Sequence, residues 1–168
     1  APELPVLHFP DWETLPYDIF SPHQDIISQR IAALYRLPEL QQGVLVVPIT
    51  TALHRLAPTS FLLGSSLVLD VGQKLNVDSM RSRLEAAGYR CVDTVYEHGE
   101  FAVRGALIDL FPMGSDLPYR IDLFDDEIET LRTFDPDTQR SIDKVESIRL
   151  LPAREFPLDK KSVTDFRG

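Results

Sequence analysis

The strongest constraint on this chain is the rhythm of its second half. Short runs rich in aliphatic, aromatic and β-branched residues recur at 90–95, 100–104, 106–111, 119–124, 128–134 and 145–151. Between them stand turn formers: His98-Gly99, Met113 to Asp116, Asp125-Asp126 and Asp135 to Thr138. Strands this short, joined by connections this tight, have room for hairpins but not for crossover helices, so they imply a mainly antiparallel sheet. A helix over about 77–87 precedes them, with Val77, Met80 and Leu84 on one face and Gly88 as its left-handed stop. A short strand at 67–71 leads into that helix.

The N-terminal portion has a different grammar. Residues 6–9 predict a short strand and 10–20 an irregular, aromatic-rich connection. Ser21-Pro22-His23-Gln24 then supplies a capping hydroxyl, a proline at the first helical position and a glutamine able to close a capping box. Ile27, Ile31, Leu34 and Tyr35 recur at helical spacing as far as Pro38. Gly43 to Val47 is a continuous apolar run that suits a strand buried on both faces of a parallel sheet. Thr50 or Thr51 can cap a further short helix through Leu56. The order β-α-β-α up to about residue 65 thus gives way to an α+β domain, and no internal repeat is detected.

Charge and composition exclude several functions. The 168 residues carry 17 Lys and Arg against 26 Asp and Glu, a net charge of -9, and residues 66–152 alone hold 17 of the acidic side chains against 10 basic ones. Such a surface repels a phosphate backbone, which disfavours non-specific nucleic-acid binding. Cys91 is the one cysteine, so neither an internal disulfide framework nor a cysteine zinc site can form, and a reducing cytoplasm is expected. No apolar run reaches the roughly 20 residues that span a bilayer. The start at Ala1 and the stop at Arg167-Gly168 suggest a piece of a longer protein.

Catalytic patterns are equally sparse. His8, His23, His54 and His98 lie far apart without zinc-type spacing, and His98 is expected to be an exposed turn residue. Phosphate-loop and nucleophile-elbow motifs do not occur, and Gly64-Ser65-Ser66 lacks the second glycine and the lysine of such a loop. Asp122, Asp125, Asp126, Glu127 and Glu129 crowd together, but a hairpin turn with strand alternation sends their carboxylates apart, which argues against a metal site.

Alternation is more informative in the strand Tyr119-Arg120-Ile121-Asp122-Leu123-Phe124. It turns Tyr119, Ile121 and Leu123 to the core and leaves Arg120, Asp122 and Phe124 on the other face. An aromatic side chain beside arginine on a polar face has the composition of an interaction hot spot. In Phe101-Ala102-Val103-Arg104-Gly105 the same rule buries Phe101 and Val103 and turns Arg104 outward, with Gly105 suited to a bulge or tight approach. Were these two strands neighbours, both arginines and Phe124 would share a surface. The competing reading is that Phe124 packs under a second layer and the arginines pair only with local carboxylates.

Glu97 to Pro112, followed by Tyr119 to Glu129 and Phe134-Asp135, closely resembles the excinuclease subunit UvrB and, still more, the UvrB-homology module of the bacterial transcription-repair coupling factors (Mfd). Asp11 to Asp18 and Ser21 to Asp25 are similar to the latter specifically. The resemblance implies that residues 1–65 are part of a degenerate helicase-like (RecA-type, UvrB domain 1a-like) α/β domain without a nucleotide-binding loop. Residues 66–152 would be a UvrB domain 2-like α+β domain that binds UvrA, and 153–168 a return segment into domain 1b. It also implies a non-catalytic recruitment role, with the UvrA contact on Arg104, Arg120 and Phe124 and an acidic position at Asp122. No catalytic residue, cofactor or metal is expected in this segment. ATP, Mg²⁺, RNA polymerase and DNA would belong to other domains of a longer chain, whose C-terminal domain would mask the docking face. The sequence departs from UvrB at Ala102, where UvrB carries arginine, and is poor in basic residues over 11–25, where UvrB clamps DNA. The rival reading is a nucleic-acid-processing fragment with helicase-like or acidic, metal-dependent activity; a blander one is a scaffold for its parent chain.

Overall fold

The computed structural model describes residues 4–14, 23–56 and 58–155. β1 (Val6–His8) and β2 (Val44–Val46) pair in parallel, Val6 opposite Val44 and His8 opposite Val46. Between them run α1 (Gln24–Arg36) and a 3-10 turn (Leu37–Glu39) that contains Pro38. α1 buries Ile31, Ala33 and Leu34, with Ile27 and Tyr35 half-buried beside them. Its N-cap is His23, whose Nδ1 accepts a 3.4 Å hydrogen bond from the Asp25 N–H, so Gln24 is the first helical residue and not the closing partner of a capping box. The expected Ser21-Pro22 start lies outside the described residues.

β2 corrects an expectation. Val44, Leu45 and Val46 are exposed, because β1 is the strand's one partner among the described residues and a two-stranded parallel ribbon has no second helical layer to cover it. α2 (Ile49–Ala52) begins after Pro48 and ends well before Leu56. The Thr50 hydroxyl does not cap it, donating instead to Asp11 Oδ2 at 3.0 Å. α3 (Thr59–Gly64) buries Leu62 and has no counterpart in the sequence reading, since six residues give too little periodicity to read.

β3 (Leu67–Asp70) precedes α4 (Val77–Ala86), which Asn76 caps by accepting from the Ser79 N–H at 2.8 Å. Gly88, at φ +95°, ends that helix. The remaining strands are β4 (Arg90–Cys91), β5 (Glu100–Arg104), β6 (Leu107–Leu110), β7 (Tyr119–Phe124), β8 (Glu127–Phe134), β9 (Ser141–Val145) and β10 (Ser147–Leu150). β4 to β9 form a six-stranded sheet in sequence order, antiparallel except for the parallel β4–β5 edge. Two expected strands are corrected. The run 90–95 pairs only at Arg90 and Cys91, after which the chain leaves the sheet and lays the fully buried Val95 across its outer side. The run 145–151 is divided: Val145 ends β9 on the large sheet, whereas β10 pairs with β3, Ser147 opposite Asp70.

The architecture is therefore mixed α/β, mostly sheet with few helices. Phe101, Ile108, Leu110, Ile121, Leu123, Ile128 and Leu131 line the inner face of the large sheet and pack with Met80 and Leu84 of α4. The same core continues through Phe9, Ile31, Leu34 and Leu62, so it crosses residue 65 without a break. A smaller cluster of Val95, Ala102, Phe111 and Phe134 sits apart from it.

A buried ion pair joins α1 to the segment that follows β10. Arg30 and Glu155 meet through Nε to Oε1 at 2.5 Å and Nη2 to Oε2 at 3.1 Å, with side chains 0% and 5% exposed. The Arg30 Nη1 donates to the Pro10 carbonyl at 2.6 Å, and the guanidinium lies 4.2 Å from the Phe9 ring centroid and 4.7 Å from that of Trp12. Trp12 Nε1 also donates to Glu155 Oε1 at 3.0 Å. A buried cation is tolerable only when its charge and donors are matched in this way.

Candidate protein-docking face

β5 and β7 are not neighbours: β6 lies between them and contributes the group that joins them. The register aligns Ala102, Asp109, Arg120 and Arg132 in one row across β5 to β8, and Arg104, Leu107, Asp122 and Thr130 in the next. Gly105, at φ +63°, makes the tight β5–β6 turn that sets this register. As alternation required, Ile121 and Leu123 are buried inward and Phe101 is fully buried, while Arg104, Arg120, Asp122 and Phe124 belong to the opposite face.

That face is only partly open, a correction to the expectation of two outward arginines. Asp109 is 0% exposed, and Arg120 grips it with Nε to Oδ1 at 2.7 Å and Nη2 to Oδ2 at 2.9 Å. Arg104 Nη2 donates to the same Asp109 Oδ2 from the other side. Arg120 is also tied to the Gln139 carbonyl at 3.2 Å and lies 4.7 Å from the Phe134 ring centroid, leaving its side chain 16% exposed against 50% for Arg104. The hydrogen bonds to Asp109 outweigh burial and raise the Arg120 pKa, so its charge is fixed. Asp122 accepts from Thr130 Oγ1 at 2.7 Å and lies 3.1 Å from Arg132 Nη2.

Phe124 stands at the end of this face and is 67% exposed. Asp122 pairs with Thr130 but Leu123 with Ile128, so Glu129 is an extra residue in β8 and the hairpin bulges just before Phe124. Bulges of this kind twist the ribbon and re-aim the side chains beyond them. Asp125, at φ +55°, makes the turn into Asp126 and Glu127. No second layer covers Phe124 among the described residues.

The loop crossing the outer side is organised by Glu100. Its burial pushes the pKa up, but the N–H groups of Tyr96 at 2.9 Å and Glu97 at 3.0 Å, with Arg90 at 2.5 Å, more than offset that and hold it below its ordinary value. His98 is not the exposed turn residue expected. Its Nδ1 lies 2.8 Å from Asp25 Oδ1, its Nε2 2.7 Å from the Ser115 carbonyl, and its ring 4.0 Å from that of Phe111.

Asp109, which joins the two arginines, is the residue of this face that sequence reasoning misses, although a signal exists: a carboxylate inside Leu107-Ile108-Asp109-Leu110, out of phase with the core residues Ile108 and Leu110. Among the described residues, no three His, Cys, Asp or Glu side chains converge as a metal would require. Asp126 is turned toward Lys74 at 3.2 Å and Asp122 toward Arg132, so the acidic residues around the hairpin diverge. No helix among them is long and apolar enough to cross a membrane.

These strands, with a buried carboxylate and an exposed aromatic on the outer face of the sheet, make a β-rich domain, and the chain belongs to the UvrB interaction domain family, whose model matches residues 67–156. Individual relatives narrow the likeness. The chain is 60% identical over 163 residues to the transcription-repair-coupling factor of Escherichia coli K12, covering 97% of this chain and 14% of that protein. It is 58% identical over 160 residues to the factor of the same name from Haemophilus influenzae, covering 95% of this chain and 14% of that protein. With the Bacillus subtilis factor the identity is 35% over 151 residues, 90% of this chain and 13% of that protein. The chain thus spans about one seventh of the length of these relatives.

Proposed function

We propose that this chain is a non-catalytic UvrA-docking module, acting by UvrB mimicry within a longer coupling protein that links stalled RNA polymerase to nucleotide excision repair. The observation that carries the reading is Phe124, a large aromatic side chain 67% exposed at the end of a face otherwise engaged in internal hydrogen bonds. Exposed aromatics next to anchored arginines are the composition of binding hot spots. Phe124 would enter an apolar recess on UvrA. Arg104, half exposed, would offer a carboxylate of UvrA the donors that Asp109 leaves free. Arg120 and Asp122 would set the polar rim and its charge pattern.

On this reading residues 66–152 are the docking domain, and 1–65 are part of a degenerate helicase-like (RecA-type) α/β domain re-entered by 153–168. The parallel β1–β2 pair joined through α1 supports that assignment, since it is the opening unit of such a fold. ATP, Mg²⁺, DNA and RNA polymerase would be handled by other domains, and a C-terminal domain would mask the face until the protein is recruited in the cytoplasm.

The test is calorimetric titration of the folded chain with UvrA, wild type beside Arg104→Ala and Phe124→Ala, with circular dichroism as the folding control. Binding that both substitutions weaken supports the assignment. Absent wild-type binding, or binding indifferent to both, overturns it.

A further inference from the structure

We infer that Asp109 is the positioning residue of the docking face: one buried carboxylate that fixes both arginines in the orientation a partner reads. The inference rests on the docking role proposed above and adds a residue that neither alternation nor resemblance singled out.

Three observations carry it. Asp109 is 0% exposed, so it cannot itself touch a partner, yet it sits on the face of the sheet opposite the main core, in register with Arg120. Both of its oxygens are occupied by that face: Oδ1 accepts from Arg120 Nε, and Oδ2 from Arg120 Nη2 and Arg104 Nη2. Finally, Arg104 and Arg120 come from strands separated by β6, so nothing in their own chain segments holds the guanidinium groups together.

The chemistry follows from those contacts. A free arginine on an open strand samples many rotamers and loses that freedom when it docks. Two guanidinium groups on one carboxylate have lost much of it already. The carboxylate also cancels one of their two charges, so they can approach each other without strong repulsion, and the face presents about one net positive charge in a fixed geometry. Planar, bidentate recognition depends on orientation more than on charge alone, which is why a fixed Arg104 is worth more to a carboxylate partner than a mobile one. The two arginines are thereby made unequal. Arg120 is largely spent on Asp109 and Gln139, whereas Arg104 keeps an exposed edge. Replacing Arg104 therefore reads docking almost alone, while replacing Arg120 also strips the buried carboxylate of its bidentate partner.

The experiment compares wild type with Asp109→Asn, which keeps the shape and removes the charge. Arginine side-chain NMR on the free protein reads the Nε–Hε signals of Arg104 and Arg120, and titration with UvrA reads affinity. In the wild type, both guanidinium groups are expected to rotate more slowly than those of solvent-exposed arginines such as Arg36. Asp109→Asn is expected to release Arg104 to solvent-like rotation and to weaken UvrA binding roughly tenfold or more. A folded Asp109→Asn protein that binds within about twofold of wild type overturns the role of Asp109 while leaving the docking reading intact. Solvent-like rotation of Arg104 in the wild type overturns it as well, and that measurement does not require the variant to fold. Absent wild-type binding overturns the docking reading itself, and the positioning role with it.

Discussion

Phe124→Ala separates binding from folding, because the structure assigns this side chain almost nothing to do in the free protein. Fully burying a phenylalanine side chain is worth about 1.5–3 kcal/mol. Phe124 is 67% exposed, so docking can gain at most two-thirds of that, about 1–2 kcal/mol, or a five- to thirtyfold change in Kd. A central position in the contact, where truncation also leaves a gap in the partner, would raise the loss to about 2 kcal/mol or more. In the free chain the same substitution removes few contacts, and its effect on unfolding free energy is expected to stay within about 0.5 kcal/mol. Phe134 provides the internal contrast. It is the same residue type in the same hairpin but 0% exposed beneath Arg120, and Phe134→Ala should cost about 3–5 kcal/mol of stability. Isothermal titration with UvrA and urea unfolding of both variants read the two quantities side by side. A Phe124→Ala chain that binds as tightly as wild type, or one that unfolds as readily as the Phe134→Ala chain, would refute the reasoning.

Two further outcomes follow from the buried charges. Arg30→Ala leaves the Glu155 carboxylate enclosed, with Trp12 Nε1 as its remaining side-chain donor among the described residues, and is expected to cost about 3–5 kcal/mol in urea unfolding; a loss below about 1 kcal/mol would show that water reaches the site and rehydrates Glu155. Glu100 has its pKa depressed on folding, so it stabilises the protein fully above the unfolded-state value of 4.5 and less as pH falls through the lower folded value. Thermal melts in steps below pH 4.5 should therefore show a falling Tm that Glu100→Gln flattens; an unchanged acid slope in the variant would count against that assignment.

Much of the sheet is legible in the sequence because period-2 alternation is local. The bounds of β7, Tyr119–Phe124, and β5, Glu100–Arg104, agree with the sequence reading, and so does the inward set Ile121, Leu123 and Phe101. What escapes it is decided by partners distant in the chain. Alternation slips in residues 145–151 at Glu146-Ser147, where two polar residues adjoin, but which sheet each side joins depends on whether β8 or β3 is nearer, which alternation does not encode. β2 reads as a strand buried on both faces, but burial depends on covering layers that its own residues cannot specify. The pairing of Arg104 with Arg120 through Asp109 requires knowing that β6 separates β5 and β7. His98 reads as a turn residue because its contacts, Asp25 and Ser115, lie in other segments of the chain.

The Arg30–Glu155 pair also bears on where such a module can be cut. The family match covers 67–156, which includes Glu155 but leaves out Arg30, Phe9, Ile31, Leu34 and Leu62, all members of the ion pair or of the shared core. A protein trimmed to that match would retain the proposed docking face and lose a wall: a naked carboxylate would stand in an apolar breach where the helix had been. Grafting the docking face onto another scaffold therefore means transplanting α1 and the Phe9–Trp12 segment with it, or else replacing Glu155 by an apolar residue and resurfacing the core around it.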